Sequence, residues 1–268
     1  MSFKAHYANA DVAAAFAALG LARGDVVYLS GNLGNLGFHA SGSKTATLEG
    51  FLAALFEVIG PEGTVVVPTH SFSLCNTDRV FDPQTTPSET GPLTEFVRTR
   101  PGAVRQYHPF ASVTALGARA AEICAPGARH AYGPNTPFAR LLDANAWGVS
   151  VGLPPNRTCS IVHHVEQMMA VPYRYTKEFL QPVRRPEGVV IEPFYLLVTR
   201  RDVDLVRDQN EKLFAHPRLA AGVGRVPLGM GGVAAYRLRT LVDAAVDLMS
   251  YDLYAWLRQP PVQRPFQS

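Results

Sequence analysis

The sequence predicts an α/β fold with a mixed, largely parallel central sheet, helices on both faces and long loops able to carry an active site. Between Val26 and Pro68, a buried strand, a glycine-rich loop, a helix and a second buried strand follow one another, which is the order of a βαβ unit. Short apolar runs bounded by glycine and proline return later in the chain, between stretches of helical periodicity. The length of 268 residues fits one domain over residues 1–268.

The first half of the chain supplies the elements of that unit. A helix is predicted over Asn9–Leu21, where alanine, leucine and phenylalanine recur at helical spacing. The uninterrupted apolar run Val26–Leu29 is typical of a buried strand. Apolar residues then recur at helical spacing over Thr45–Ile59, and Gly63–Pro68 predicts the second buried strand. The loop Ser30–Ser43 connects the first strand to the helix.

Two more strands and a closing helix are predicted in the second half. Val149–Leu153 is a third strand, and Phe194–Thr199 a fourth, after the proline-rich stretch Pro182–Pro193. Tyr236–Leu257 shows helical periodicity. The long functional loops are expected at Ser30–Ser43, Cys75–Thr90 and Thr99–Ser112.

Composition narrows the class of protein. Lys and Arg number 25 against 22 Asp and Glu, and a formal charge of +3 without a basic tract argues against nucleic acid as a partner. Three cysteines without CxxC spacing predict reduced thiols rather than disulfides. No apolar run approaches the ~20 residues that span a bilayer, and no signal peptide is recognisable, so we expect a cytoplasmic protein without a membrane partner.

His163 and Glu166 form the most informative pair. They stand three residues apart in a segment of helical periodicity, so both side chains share one face of a helix. A carboxylate beside an imidazole can fix its tautomer and raise its basicity, as a general base requires. His164 would point about 100° away from His163 and is a weaker candidate, as is His130.

A glycine-rich loop follows the first strand. Gly31, Gly34 and Gly37 precede a helix, where backbone N–H groups can converge on an anion. The spacing matches neither the dinucleotide fingerprint nor the P-loop. A cofactor-binding loop and an ordinary βα connection therefore both remain open.

Two further segments combine proline with polar side chains. Phe81–Ser88 ends in a serine that can cap a following helix. His108 precedes Pro109, which biases its backbone away from helix, and its ring is expected to project into a loop-lined site. Arg105 nearby can pair with a phosphate or carboxylate.

These segments together resemble a known family. In order and spacing, the chain is similar to the antibiotic acetyltransferase family at Phe81–Ser88, from Arg105 to Ser112, and at His163 with Glu166. The best-known members of this family are the aminoglycoside 3-N-acetyltransferases. The fold of the family differs from that of the GNAT enzymes. The run Val171–Lys177 looks more like the branch found in amino-sugar and surface-polysaccharide pathways.

The resemblance implies transfer of an acetyl group from acetyl-CoA to an amine through a ternary complex, without a metal. The acceptor would be an amino sugar, a nucleotide-linked amino sugar or an aminoglycoside; the oligomeric state is left open, a homodimer included. The catalytic residues implied are His163, Glu166, His108 and Ser160. The cofactor-binding residues implied are Ser30, Gly31, Asn32, Leu33, Gly34, Thr86, Ser88, Arg105 and Ser112.

The chain also departs from the family pattern. Ser30-Gly31-Asn32 replaces a common His-Ser-Ser, and Cys159-Ser160 stands where many members have Asn-Thr. Both positions would lie near the meeting point of amine and thioester, so a typical aminoglycoside is not the expected acceptor.

Three alternatives use some of the same residues. His163, His164 and Glu166 are metal-ligand types, as in a metal-dependent hydrolase, although the spacing is not His-Glu-x-x-His. A nucleotide-binding module would use the loop at Gly31. Cys159 beside His163 suggests a thiol nucleophile, against which a small buried residue is the simpler interpretation.

Overall fold

The structure is a computed structural model that describes residues 6–201, 206–207, 210–262 and 264. The strands are β1 (Val26–Gly31), β2 (Thr64–Pro68), β3 (Val104–Arg105), β4 (Val113–Gly117), β5 (Trp147–Val151), β6 (Arg174–Arg185), β7 (Gly188–Thr199), β8 (Val206–Arg207), β9 (Gly224–Leu228), β10 (Gly231–Arg237) and β11 (Leu257–Gln259). The helices are α1 (Asn9–Ala18), α2 (Lys44–Ile59), α3 (Pro92–Arg98), α4 (Ala120–Ile123), α5 (Pro137–Asp143), α6 (Val162–Met168), α7 (Glu211–Ala215), α8 (Pro217–Ala220) and α9 (Leu238–Tyr251).

A seven-stranded mixed sheet forms the centre, in the order β3-β4-β2-β1-β5-β10-β9. Strands β2, β1 and β5 are parallel, which confirms the predicted βαβ unit. The strands on either side of this trio pair antiparallel. The α/β class with a mixed sheet is confirmed, but antiparallel strands make up more of the sheet than predicted, because β3, β4, β9 and β10 were not anticipated.

Helices cover both faces of the sheet, as predicted. Side chains of β1 alternate between two cores, in keeping with the period of two residues along a strand. Val27 and Leu29 pack with Phe16 of α1 and Phe51 of α2. Tyr28 packs in the other core, which includes side chains of α4, α5, α6 and α9. None of the helices in the described part of the chain is long and apolar enough to cross a bilayer.

The segment from Arg174 to Thr199 corrects the sequence prediction. Phe194–Thr199 was predicted as a strand that begins after the proline-rich stretch Pro182–Pro193. Instead, β6 and β7 include that stretch and form a long antiparallel hairpin, which is a separate two-stranded sheet. Leu180 lies opposite Pro193 in this hairpin. Prolines are tolerated because each strand of a two-stranded sheet has an outer edge, where the missing N–H breaks no bond of the ladder between β6 and β7.

The closing helix is also shorter than predicted. Tyr236 belongs to β10, α9 occupies Leu238–Tyr251, and Leu257 lies in β11. Because β1, β2 and β5 are parallel, their carboxyl ends meet at one edge of the sheet, the usual place for a ligand site in α/β proteins.

Candidate active site

His163 and Glu166 are paired on α6, as their spacing predicts. His163 Nδ1 lies 2.7 Å from Glu166 Oε2. The carboxylate is fully buried, whereas the imidazole side chain is 27% exposed. When Nδ1 carries the proton shared with the carboxylate, Nε2 carries the lone pair that a base requires.

Two residues of the next segment hold the carboxylate. Arg174 Nε forms an ion pair with Glu166 Oε2 at 2.8 Å, and the Tyr173 hydroxyl donates to Oε1 at 3.2 Å. A buried carboxylate keeps its charge only with such partners. Sequence reasoning placed Tyr173 and Arg174 in a run resembling the family but assigned them no role, since their contact with Glu166 depends on the chain returning across α6.

A cavity of about 370 Å³ adjoins the imidazole. Its lining residues are Asn156, Arg157, Cys159, Ser160, Val162, His163 and Asn210. Ser160 is therefore brought together with His163. The Cys159 thiol is buried and lies 3.5 Å from both the carbonyl oxygen of Asn156 and the side-chain nitrogen of Asn210.

A larger cavity of about 900 Å³ lies beside the glycine-rich loop. Its lining includes Gly31, Asn32, Leu33 and Gly34, four of the residues predicted to bind the cofactor. Ser30 precedes them as a buried residue whose hydroxyl has no hydrogen-bond partner among the described residues. The size suits an extended small-molecule ligand.

Gly31 and Asn32 shape the loop itself. Gly31 has φ +145°, and a Cβ there would lie 2.1 Å from the carbonyl oxygen of Val151, so only glycine fits. The Asn32 side chain accepts from the Gly34 N–H at 3.0 Å and caps the short 3₁₀ turn Leu33–Leu36. The loop after β5 borders both cavities, with Leu153 lining the larger one and Asn156 the smaller one.

His108 does not lie at either cavity. Its ring is fully buried, and Nδ1 accepts from the N–H groups of Phe110 and Ala111 at 3.3 and 3.2 Å. Nε2 lies 3.4 Å from the carbonyl oxygen of Tyr195, to which it donates. Burial lowers the pKa of His108 to about 3, so the ring is neutral. The expectation that this ring projects into a loop-lined site is wrong, because Phe110, Ala111 and Tyr195 enclose it.

Arg105 and Ser112 also lie away from both cavities. Arg105 Nε donates to the Ser112 hydroxyl at 2.9 Å, and its terminal nitrogens donate to the carbonyl oxygens of Thr69 and Thr86. The buried Ser112 hydroxyl donates to the Thr69 carbonyl oxygen at 2.7 Å. Through these contacts the guanidinium of Arg105 links the segments that contain Thr69, Thr86 and Ser112.

Thr86 and Ser88 are likewise engaged within their own loop. The Thr86 hydroxyl accepts from the Asp82 N–H at 2.9 Å. The Ser88 N–H donates to a carboxylate oxygen of Glu95 at 2.8 Å, and its hydroxyl lies 2.7 Å from that of Thr90. Neither residue lines the cavity beside Gly31.

His70, two residues after the end of β2, was missed by sequence reasoning. Burial, followed by the charges of His163 and Arg105, lowers the pKa of His70 to about 4, so this imidazole shares an electrostatic neighbourhood with His163. Its Nε2 is buried without a hydrogen-bond partner among the described residues. The one available signal was its position after a parallel strand.

The remaining histidines are placed elsewhere. His164 is buried, its Nδ1 accepts from the Gly133 N–H at 3.3 Å, and burial lowers its pKa to about 4. The His130 ring stacks on that of Tyr195 at 4.7 Å. Within residues 6–201, 206–207, 210–262 and 264, no group of three or more His, Cys, Asp or Glu side chains is arranged to hold a metal ion.

Comparisons of sequence agree with the expected family. The profile described as aminoglycoside 3-N-acetyltransferase matches residues 32–250. Aminoglycoside N(3)-acetyltransferase IX of Micromonospora chalcea is 30% identical in an alignment 231 residues long, which covers 77% of this chain and 80% of that protein. Aminoglycoside N(3)-acetyltransferase VII of Streptomyces paromomycinus is 28% identical in an alignment 272 residues long, which covers 88% of this chain and 89% of that protein.

Solved structures share the fold. The aminoglycoside acetyltransferase AAC(3)-Xa superposes with a TM-score of 0.79 at 23% identity and covers 94% of both chains. The binary complex of AAC-IIIb with CoASH superposes with a TM-score of 0.79 at 24% identity, over 93% of this chain and 97% of that one. Since the family profile spans most of the sequence, this chain belongs to the aminoglycoside 3-N-acetyltransferase family and is an acyl-CoA-dependent N-acetyltransferase.

Proposed function

We propose that the protein transfers an acetyl group from acetyl-CoA to an amine of a small polar acceptor, with His163 as general base. The observation that carries the proposal is the His163–Glu166 pair, in which a buried carboxylate holds the inner edge of an imidazole that lines a cavity. Such a pair suits proton removal from an ammonium at neutral pH.

The reaction requires one proton acceptor and one hydrogen-bond donor from the chain. Nε2 of His163 takes the proton of the ammonium, and the freed nitrogen attacks the thioester carbon. The carbon–sulfur bond then breaks, coenzyme A leaves as the thiolate, and His163 returns its proton to the sulfur. The second proton, which the attacking nitrogen loses as the amide forms, passes to solvent. The Ser160 hydroxyl, beside His163 in the cavity, supplies the donor for the oxyanion of the tetrahedral intermediate.

Glu166 stabilises the imidazolium that forms at His163. Its charge is maintained by Arg174 at 2.8 Å and Tyr173 at 3.2 Å, so the negative charge is in place before the proton arrives. Removing either partner would weaken the basicity of His163 indirectly, because each acts through the carboxylate.

The cavity beside Gly31 is the proposed site for acetyl-CoA. Its volume of about 900 Å³ and its peptide-lined wall at Gly31–Gly34 fit a long, partly polar chain. Because one loop, bearing Leu153 and Asn156, borders both cavities, the donor and the amine can be bound together. This favours direct transfer in a ternary complex.

Five residues expected at the site receive supporting roles instead. His108 accepts a hydrogen bond from the Phe110 N–H and so stabilises the turn there. Arg105 and Ser112 are hydrogen-bonded to each other and stabilise the segment after β2. Thr86 and Ser88 order the loop that leads into α3. We therefore assign them to positioning the site rather than to contact with the substrates.

The acceptor is an amine of an amino sugar, a nucleotide-linked amino sugar or an aminoglycoside. Aminoglycosides are the substrates in the names of the relatives, and the departures at Ser30 and Cys159 favour a different amine. The test is release of free thiol from acetyl-CoA with a panel of these three classes, with the product identified by mass spectrometry. Release that depends on an amine supports the proposal; no release with any class of amine contradicts it.

A further inference from the structure

A third cavity, of about 650 Å³, borders the loop that follows β5. Its lining is mostly small or apolar and includes Pro155, Phe214 and Val226. Arg225 is the one charged residue among the described residues that line it. Apolar walls with a few polar or charged groups are typical of small-molecule sites. The acetyl transfer described so far gives this cavity no role.

The third cavity adjoins the other two. Asn156 lines both the third cavity and the one beside His163, and Leu153 lines both the third cavity and the one beside Gly31. One short loop therefore borders all three. An acceptor whose amine lies at His163 has, directly beyond Asn156, a second space for the rest of its atoms.

Strand register places Arg225 on the face of the sheet that α6 covers. Arg225 of β9 pairs with Ala234 of β10, and residues directly opposite each other share a face. Tyr236, two residues after Ala234, is on that same face and packs in the core that includes Val165 of α6. The side chain of Arg225 therefore projects on the side of the sheet where His163 lies.

Small residues leave this part of the face open. Arg225 and Pro227 of β9 stand opposite Ala234 and Gly232 of β10. A methyl group and a hydrogen atom fill little space, so a hollow remains beside the arginine. Phe214 of α7 supplies an aromatic wall to the same cavity. The hollow thus combines an aromatic surface with a cation, which suits a ring that carries an anionic substituent.

The guanidinium of Arg225 is accessible to a ligand. The residue is exposed, and no carboxylate of the described residues pairs with it, whereas Arg218 pairs with Asp243 and Asp247. A second exposed arginine, Arg157, lines the cavity beside His163. Arginine binds phosphate and carboxylate through parallel N–H donors. Two arginines along the acceptor's path favour a negatively charged molecule and disfavour a polycation.

We propose that the third cavity binds an anionic group of the acceptor, a phosphate or a carboxylate, through Arg225 while the acceptor amine lies at His163. Because β10 lies between β9 and β5, whose following loop carries Asn156, the anionic group must be several bonds from the amine. A nucleotide-linked amino sugar has this spacing. The inference rests on the proposed function, since it requires acetylation of an amine at His163.

The test compares steady-state acetylation of glucosamine, uridine diphosphate glucosamine and a glucuronic acid–glucosamine disaccharide. The last two carry a diphosphate and a carboxylate, so they distinguish the two sources of the anion. We expect kcat/KM for at least one of them to exceed that for glucosamine by about 10-fold or more, the scale of a hydrogen bond to a charged group. Arg225→Gln should raise the KM for that anionic amine about 10- to 100-fold, without a matching fall in kcat.

Two further variants separate the charge from the fold. Arg225→Lys keeps the charge without the planar pair of donors, so its rise in KM should be smaller than that of Arg225→Gln. Arg258→Gln is the matched control, because Arg258 is an exposed arginine on the short strand β11 and lines none of the three cavities. It should leave the preference for the anionic amine unchanged. Thermal unfolding of each variant identifies any loss of folding.

Calorimetric titration with CoASH separates the acceptor from the phosphates of the cofactor. Arg225→Gln should leave the Kd for CoASH unchanged; a weaker affinity for CoASH with an unchanged KM for the anionic amine would overturn the inference. Equal kcat/KM for all three amines, a preference that Arg225→Gln leaves intact, or better turnover of the aminoglycoside tobramycin than of either anionic amine would also overturn it. If none of these amines causes release of thiol from acetyl-CoA, the proposed function itself is wrong.

Discussion

Glu166 Oε2 lies 2.7 Å from His163 Nδ1, and only the imidazole of the pair reaches solvent. The shielded carboxylate fixes the ring from behind while the outer edge of the ring borders the cavity. The two residues therefore contribute in different ways, and their substitutions are expected to differ.

His163→Ala should lower kcat/KM by about 100-fold or more, the scale of a lost general base. The loss should appear in kcat rather than in the KM for acetyl-CoA, because the proposed cofactor cavity does not include His163. Steady-state rates of thiol release measure both. Near-normal turnover in this variant would remove His163 from the mechanism.

Glu166→Gln should affect both activity and folding. Turnover should fall by about 10- to 100-fold because the imidazolium loses its counter-charge. The free energy of unfolding should fall by about 3–5 kcal/mol, since Arg174, only 7% exposed, would remain as a buried cation without its partner. Urea denaturation measures the second effect.

Glu122→Gln is the control for that stability loss. Glu122 pairs with Arg119 at the surface, where both side chains are at least 35% exposed. Such a pair contributes about 1 kcal/mol or less. Equal stability losses in the two variants would show that burial of the Glu166 pair has no energetic consequence.

Stability should fall on mild acidification because three buried histidines are neutral in the fold. Burial is the main cause that lowers the pKa of His108 to about 3 and those of His70 and His164 to about 4, from an ordinary 6.5. Between pH 6.5 and about pH 4 the unfolded chain binds protons that the folded chain does not. This contribution to stability is therefore complete above pH 6.5 and decreases as the pH falls.

Urea midpoints measured from pH 7 to pH 5 test this dependence. His108→Gln should reduce the slope of midpoint against pH as well as the stability itself, since the amide has no proton to gain. A slope that is the same in the variant and in the natural protein would contradict the assignment of a neutral, buried His108.

Gly31→Ala should be strongly destabilising, by about 2 kcal/mol or more, because its Cβ would meet the Val151 carbonyl oxygen at 2.1 Å. Gly188→Ala separates this clash from the backbone effect, since Gly188 has φ +136° but no atom within 4 Å of the added Cβ. Thermal unfolding should rank Gly31→Ala well below Gly188→Ala. The reverse order would be inconsistent with close contact between β1 and β5.

Cys159→Ala distinguishes direct transfer from a covalent route. The thiol lines the cavity with His163, but direct transfer needs no acyl-cysteine. We expect the variant to keep at least about half of the natural kcat, a change well under 1 kcal/mol in the barrier. Loss of turnover together with an acetylated Cys159 in the natural protein, seen by mass spectrometry, would require the covalent mechanism.

Local patterns in the sequence predicted what short-range geometry determines. The pairing of His163 with Glu166 follows from their spacing of three residues, which places both on one face of a helix. The βαβ unit from Val26 to Pro68 follows from apolar periodicity. The ion pair between Arg174 and Glu166 could not be predicted, because it depends on the path of the chain between the end of α6 and the start of β6.

Other errors have similar causes. His108 was expected in a loop-lined site from its proline neighbour, but Tyr195, distant in sequence, encloses it. The prolines at Pro182 and Pro193 concealed a hairpin, because the rule that excludes proline from strands applies only where the N–H faces another strand.

The long β6–β7 hairpin has a consequence for how this enzyme diverges from its relatives. The hairpin begins at Arg174, which forms the ion pair with Glu166. Leu180 and Ile191 lie further along the hairpin and face solvent. Changes near the tip can thus alter the outer surface of the protein without disturbing the proton-transfer apparatus.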